Sequence, residues 1–147
     1  MTILDSKGQL SLEYILSSMI VILIISLISV PILLTTMDYS KDIVDSINSK
    51  AELSKITDAI DFCYSSGKGS RKIVFTDLYK SCTIKFSSNG QKGIASINLN
   101  LSKETKNIMS DFQYGGLNKN LELSKGFNKI LVQWNEETGD IEVKKII

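Results

Sequence analysis

From Tyr14 to Met37 the chain runs for 24 residues without a charged side chain. At about 1.5 Å rise per residue, a helix over this run measures roughly 36 Å, enough to cross a hydrocarbon core of about 30 Å. Ile15 to Val30 is apolar on every side, which predicts surroundings of lipid or other helices. Ser18, Ser26 and Ser29 are small, can bond back to their own backbone carbonyls, and permit close helix approach in a membrane. Pro31 lacks a backbone N–H, so a kink or local melting is expected there.

The position of the run narrows its meaning. A secretory leader has a basic start, a core of about 7 to 15 apolar residues, and a small-residue cleavage site behind it. This run is too long, and Pro31-Ile32-Leu33-Leu34 continues it as apolar chain. A plain membrane anchor fits the length but leaves the preceding segment, Ser6-Lys7-Gly8-Gln9-Leu10-Ser11-Leu12-Glu13, unexplained. A carboxylate carried into a bilayer costs several kcal/mol unless it is neutralised or paired. Glu13 stands directly before the uncharged run, where it is either a polar flank at headgroup level or a group awaiting a partner.

Lys7-Gly8-Gln9-Leu10-Ser11-Leu12-Glu13 resembles the class III signal peptide of archaeal type IV pilin-like proteins. The resemblance rests on Gly8, Gln9, Ser11 and Glu13 in fixed register before the apolar run, and it covers about the first 35 residues. It implies that a prepilin peptidase cuts between Gly8 and Gln9, leaving residues 1–8 as leader and Gln9 as the mature terminus. It also implies that the mature helices pack side by side in a cell-surface filament, used for adhesion or surface attachment. The implied partners are the peptidase, other pilin subunits, a membrane platform and an assembly ATPase. Glu13 of one subunit would then face the new α-amine of a neighbour, a pairing that sets register more than it adds stability. Glycine at the cut has no side chain and lets the backbone lie extended in a protease site. The implied location is the membrane for the precursor, with the C-terminus outside, and the filament for the mature chain.

Beyond the run, residues 38–64 contain no glycine or proline. Apolar residues recur at Ile43, Ile47, Ala51, Leu53, Ile56, Ile60 and Cys63, in steps of two to four that predict one buried helical stripe. Asp42, Asp45, Lys50, Lys55 and Asp58 are expected on the opposite, solvated face. Gly67 and Gly69 end the helix. After Ser70 the period changes to two. Ile84 and Phe86 alternate with Thr83 and Lys85, and Ile97, Leu99 and Leu101 alternate with Asn98 and Asn100. Ser88-Asn89-Gly90-Gln91 and Glu136 to Asp140 read as hairpin turns, with strands over 129–134 and 141–146 and a further one at 71–75. Residues 103–112 are ambiguous and suggest a short helix. The expected fold class is therefore α+β. A leader (1–8) precedes an assembly helix (9–37) and its amphipathic continuation (38–64). That continuation packs against a small antiparallel β-sheet head (65–147), as in a type IV pilin. A head of this size has a thin core and needs the helix to complete it.

Other features add less. Cys63 and Cys82 allow one disulfide if this part lies outside the cell. It would fasten helix to sheet and contribute about 3 kcal/mol through a 20-residue loop, while two buried thiols is the competing reading. Asn100-Leu101-Ser102 is a glycosylation sequon, and an inward Leu101 would turn Asn100 outward. With histidine absent and a net charge of +1, neither a catalytic base nor a nucleic-acid surface is expected. Gly67-Lys68-Gly69-Ser70 lacks phosphate-loop spacing, and Asp77, Asp111 and Asp140 lack ligand spacing, so no enzyme, cofactor or metal is expected. The alternative to a pilin is an uncleaved single-pass membrane protein with a small external binding domain.

Overall fold

The computed structural model describes residues 6–146, with side chains from Leu12 onward. One helix, α1 (Ser6–Ser66), is followed by seven strands: β1 (Arg71–Leu78), β2 (Cys82–Ser88), β3 (Gly93–Asn100), β4 (Thr105–Phe112), β5 (Lys119–Leu123), β6 (Gly126–Trp134) and β7 (Ile141–Lys145). The chain divides into two compact units, Met1–Ser40 and Lys41–Ile147.

In the first unit the helix is long and apolar enough to cross a membrane, and none of its apolar window is buried. Pro31 lies inside the helix without interrupting it, so the expected local melting does not occur. A proline removes one hydrogen bond from the ladder, and the helix assignment continues on both sides of it. Thr35 and Thr36 donate their hydroxyls back to the carbonyls of Pro31 and Ile32 at 2.8–2.9 Å. Ser18 does the same to Ile15 at 2.8 Å, as its size and position suggest.

In the second unit the C-terminal part of α1 packs against antiparallel sheets in an α+β head. One sheet has the order β1-β6-β7, the other β4-β3-β2-β5. Alternation along the strands turns one face of each sheet to the core. Val74, Ile130, Val132, Ile141 and Val143 point inward from the first sheet, and Ile84, Phe86, Ile97, Phe112 and Leu121 from the second. Leu53, Ile56, Ala59, Ile60 and Cys63 of the helix share that single core. The head cannot bury these inner faces without the helix.

The helix stops where predicted. Gly67 takes φ +88°, a left-handed conformation that favours glycine. Its N–H bonds Cys63 O at 3.1 Å, and Ser70 Oγ donates to the same carbonyl at 2.8 Å. Close packing demands the other informative glycine. Gly93 pairs with Phe112 across β3 and β4, and a Cβ at Gly93 would lie 2.1 Å from the Phe112 ring.

One expectation about the head is corrected, and one strand is added. Residues 105–112 form a strand rather than a helix, paired along their whole length with β3. Ile108 and Phe112 are inward and four residues apart, which mimics a helical period. The inward residue between them is Ser110, whose hydroxyl pairs with that of Thr57 on the helix at 2.9 Å. Strand β5 was not anticipated. It is short and contributes Leu121 and Leu123 to the core between exposed Asn120 and Glu122.

Candidate functional site

The residues singled out by sequence fall into three groups. Gly8 and Gln9 lie in the first turns of α1, and Ser11 follows in the same helix. Their side chains fall outside the described residues, so the proposed roles of Gly8, Gln9 and Ser11 are carried by sequence register alone. Glu13 is exposed, and from Leu12 to Met37 the apolar side chains are exposed in every direction. An apolar cylinder of this kind needs a surrounding of lipid or other helices.

The expected buried stripe holds only in part. Leu53, Ile56, Ile60 and Cys63 are buried, but Ile43, Ile47 and Ala51 are exposed, with Ile47 at 63%. The face that turns to the head in this lower part is the polar one. Asp42 accepts hydrogen bonds from Ser102 N–H at 3.2 Å and from Ser102 Oγ at 3.1 Å. Asp45 pairs with Lys80 at 3.3 Å and keeps only 14% of its side chain exposed. The expectation that Asp42 and Asp45 are solvated is therefore corrected, and they are the clasps between helix and head. Deeper in the head, Asp61 repeats the arrangement by accepting from Gln113 N–H at 2.7 Å. Charge-assisted bonds of this type are roughly twice as strong as neutral ones. Inverting the lower helix leaves Ile43, Val44 and Ile47 as an outward apolar face. The same face carries Ser54 and Asp58 farther up.

The two cysteines do not meet, and the expected Cys63–Cys82 bridge is corrected to two free thiols. Cys63 is buried and its Sγ donates to Val132 O at 3.6 Å. Cys82 opens β2 and shares a small cleft with Asp45, Ser49, Leu78 and Leu99. On the helix, Ser49 and Cys63 are 14 residues apart (63 − 49), or about 21 Å of rise. A disulfide needs Cα atoms within about 7 Å. The two thiols thus sit at opposite ends of the packed helix. Burial pushes the Cys63 thiol up from its ordinary value, against smaller opposing effects of the Ser70 hydroxyl and the Lys72 charge. Burial alone raises that of Cys82.

Asn100 is exposed at the end of β3, and Leu101 is half-buried against the core. Thr105 Oγ1 donates to Asn100 Oδ1 at 3.1 Å. The sequon serine, Ser102, is the residue that Asp42 holds. At the opposite end of the head, Tyr64 stacks on Trp134 at 5.5 Å, and Tyr114 tilts against both. Tyr114 Oη donates to Asp140 at 3.0 Å, and burial is the first cause of its raised pKa. This aromatic cluster locks the helix terminus to β6 and was not anticipated, because its members are separated by 50 and 20 residues. Among the described residues, no three acidic or thiol side chains gather as a metal would require.

No family model, curated protein or solved structure matches the chain.

Proposed function

We propose that the chain is the precursor of a pilin or minor pilin of the archaeal type IV kind, cleaved between Gly8 and Gln9 and polymerised into a cell-surface filament for attachment. The observation that carries this reading is an apolar helix that leads into a β-rich head and is preceded by Gly8, Gln9, Ser11 and Glu13 in the register of a class III signal peptide. The outward face at Ile43, Val44 and Ile47 supports it. An exposed apolar patch on a folded head is of the kind that another protein surface covers. Glu13 supports it as well, since removing the leader creates an amine at Gln9 that a carboxylate in an apolar bundle can pair with.

In this reading the precursor sits in the membrane with its C-terminus outside. The prepilin peptidase, the membrane platform and the assembly ATPase act on it before it joins other subunits. The test is co-expression with a prepilin peptidase, followed by mass spectrometry. Loss of residues 1–8, abolished by Gly8→Phe, is the expected result. An intact N-terminus in the presence of an active peptidase sinks the pilin reading. It would leave an uncleaved single-pass protein with an external binding domain, which the helical conformation of Gly8 and Gln9 favours.

A further inference from the structure

The two sheets of the head differ on their outer faces. The sheet β4-β3-β2-β5 turns Thr83, Lys85, Asn98, Asn107 and Glu122 outward, and Met109 is the one exposed large apolar side chain on its strands. That is the alternation of a sheet with water on its outer side. The sheet β1-β6-β7 departs from it. Val74, Ile130, Val132 and Val143 fill the core from its inner face, yet Ile73, Phe75, Phe127 and Leu131 point the other way. These four form one patch. Ile73 is directly opposite Leu131, and Phe75 is opposite Lys129, one diagonal step from both Leu131 and Phe127. Ile146 flanks them just past β7, where its N–H bonds Lys129 O at 2.7 Å. Phe75 is 63% exposed and Phe127 81%. A phenylalanine presents roughly 150–250 Å², so with Ile73 and Ile146 the patch exposes on the order of 400 Å² of apolar surface. Strands that are apolar on both faces belong to sheets that are covered on both faces. The chain itself covers only the inner one.

The head has a second apolar surface, the stripe of Ile43, Val44 and Ile47 on α1, which exposes roughly 250 Å² by the same reckoning. The stripe faces away from the core on the helix side, and the sheet patch faces away from it on the sheet side. One head cannot close one on the other, but two copies can. Together the surfaces amount to roughly 650 Å², against about 900 Å² of apolar area in an interface of standard size. A contact of this size is weak between free subunits and suits copies already held side by side. The charges fit the same pairing. On the sheet face Lys144 is bound to Glu142 at 2.5 Å, and Arg71 and Lys129 stand with Asp77 at the far end of β1. On the helix Lys55 is bound to Glu52 at 2.7 Å, Lys50 lines the groove beside Met109, and Asp58 stands on the outward side. Ile47 and Asp58 are 11 residues apart (58 − 47), about 16 Å of helix rise. Arg71 and Phe75 are four apart (75 − 71), about 14 Å of strand. With Ile47 seated on Phe75 and its axis along β1, the helix of a second copy brings Asp58 to Arg71.

We propose that the outer face of the β1-β6-β7 sheet receives the outward helix stripe of a second copy of this chain, with Ile47 on Phe75 and Asp58 beside Arg71. The two surfaces are different, so the contact is heterologous. Each copy offers one surface and receives on the other, and repetition builds rings or helical filaments and never a closed two-fold pair. The inference deepens the filament reading by naming what covers Ile43, Val44 and Ile47, and it does not depend on cleavage at Gly8.

The test uses the full chain reconstituted at high density in liposomes, with Ile47→p-benzoylphenylalanine as a photo-crosslinking probe. Irradiation should give covalent dimers and higher multimers whose crosslinked peptides contain residues 71–77 or 126–131 of another copy. The same probe at Asn98, on the polar outer face of the other sheet, should give at least about fivefold fewer. Phe75→Ser and Asp58→Arg should each lower the yield at least about threefold, and adding Arg71→Asp to the Asp58→Arg chain should restore it. Unchanged Trp134 emission shows that each variant is folded. Crosslinks confined to residues 43–58 of the other copy overturn the proposal, because they mean a symmetric helix pair. So do crosslinks to lipid alone, an absence of multimers, or a charge swap without recovery. Peptidase cleavage without crosslinks to the sheet overturns this contact and leaves the pilin reading standing. Crosslinks to the sheet in a chain that the peptidase does not cut support the contact and sink the pilin reading.

Discussion

The lower helix offers the sharpest test of the structure, because Ile47 and Leu53 belong to one predicted stripe and have opposite environments. Leu53 is fully buried in the core that joins helix to sheets, whereas Ile47 is 63% exposed. Truncating a buried leucine to alanine removes its transfer free energy and leaves a cavity, costing about 2–5 kcal/mol. An exposed isoleucine costs within about 0.5 kcal/mol. The head, residues 41–147, is of a size for which total stability is roughly 5–15 kcal/mol. Leu53→Ala at about 3 kcal/mol therefore removes a large share of it, and lowers Tm by roughly 10–20 °C. The assay is urea unfolding of the full chain in detergent micelles, followed by tryptophan fluorescence. Trp134 is the sole tryptophan. It stacks on Tyr64 and donates its indole N–H to Gly139 O at 2.8 Å, so its emission follows the docking of helix on sheet. Leu53→Ala should shift the midpoint strongly and Ile47→Ala hardly at all. Equal losses in both variants, or a Leu53→Ala change below about 0.5 kcal/mol, would refute the inverted packing.

Asp42→Ala removes the acceptor of the Ser102 clasp and should cost about 1 kcal/mol in urea unfolding, the net value of a partly exposed hydrogen-bonded carboxylate, with faster exchange of the Ser102 amide in a separate backbone hydrogen-exchange measurement. Both thiols should be unpaired on a non-reducing gel, with Cys63 alkylated only after unfolding. Because burial raises the folded pKa of Cys63, Cys82 and Tyr114, each contributes stability that is complete below its unfolded value and lost as pH rises. Stability should therefore be level from pH 6 to 8 and fall above about 8.5, where unfolded thiols ionise. A Cys63→Ala, Cys82→Ala chain should show a shallower fall in the same urea titrations. If the pilin reading holds, Glu13→Gln should leave peptidase cleavage intact and reduce the yield of sheared filaments at least tenfold, while Ile47→Asp should reduce it without lowering head stability.

Much of this molecule is set by local pattern. Twenty-four uncharged residues admit a membrane-crossing helix, and Gly67 can adopt the left-handed turn that ends it, because both properties depend on nearest neighbours along the chain. The alternation in β2, β3, β6 and β7 was legible for the same reason, since each strand has water on one face and a core on the other. The register of Gly8, Gln9, Ser11 and Glu13 is likewise a property of sequence, and the functional reading depends on it. Tertiary structure decided the remainder. Asp42 and Asp45 look like a solvated face until Ser102 and Lys80, 60 and 35 residues away, supply their partners. Ser110 breaks the alternation of β4 because Thr57 satisfies its hydroxyl across the core. Cys63 and Cys82 are close in sequence and far apart in space, because a helix end and a strand start fall at opposite ends of the head. In each case a polar or sulfur group took its environment from a long-range contact, and periodicity along the chain carries no record of such contacts.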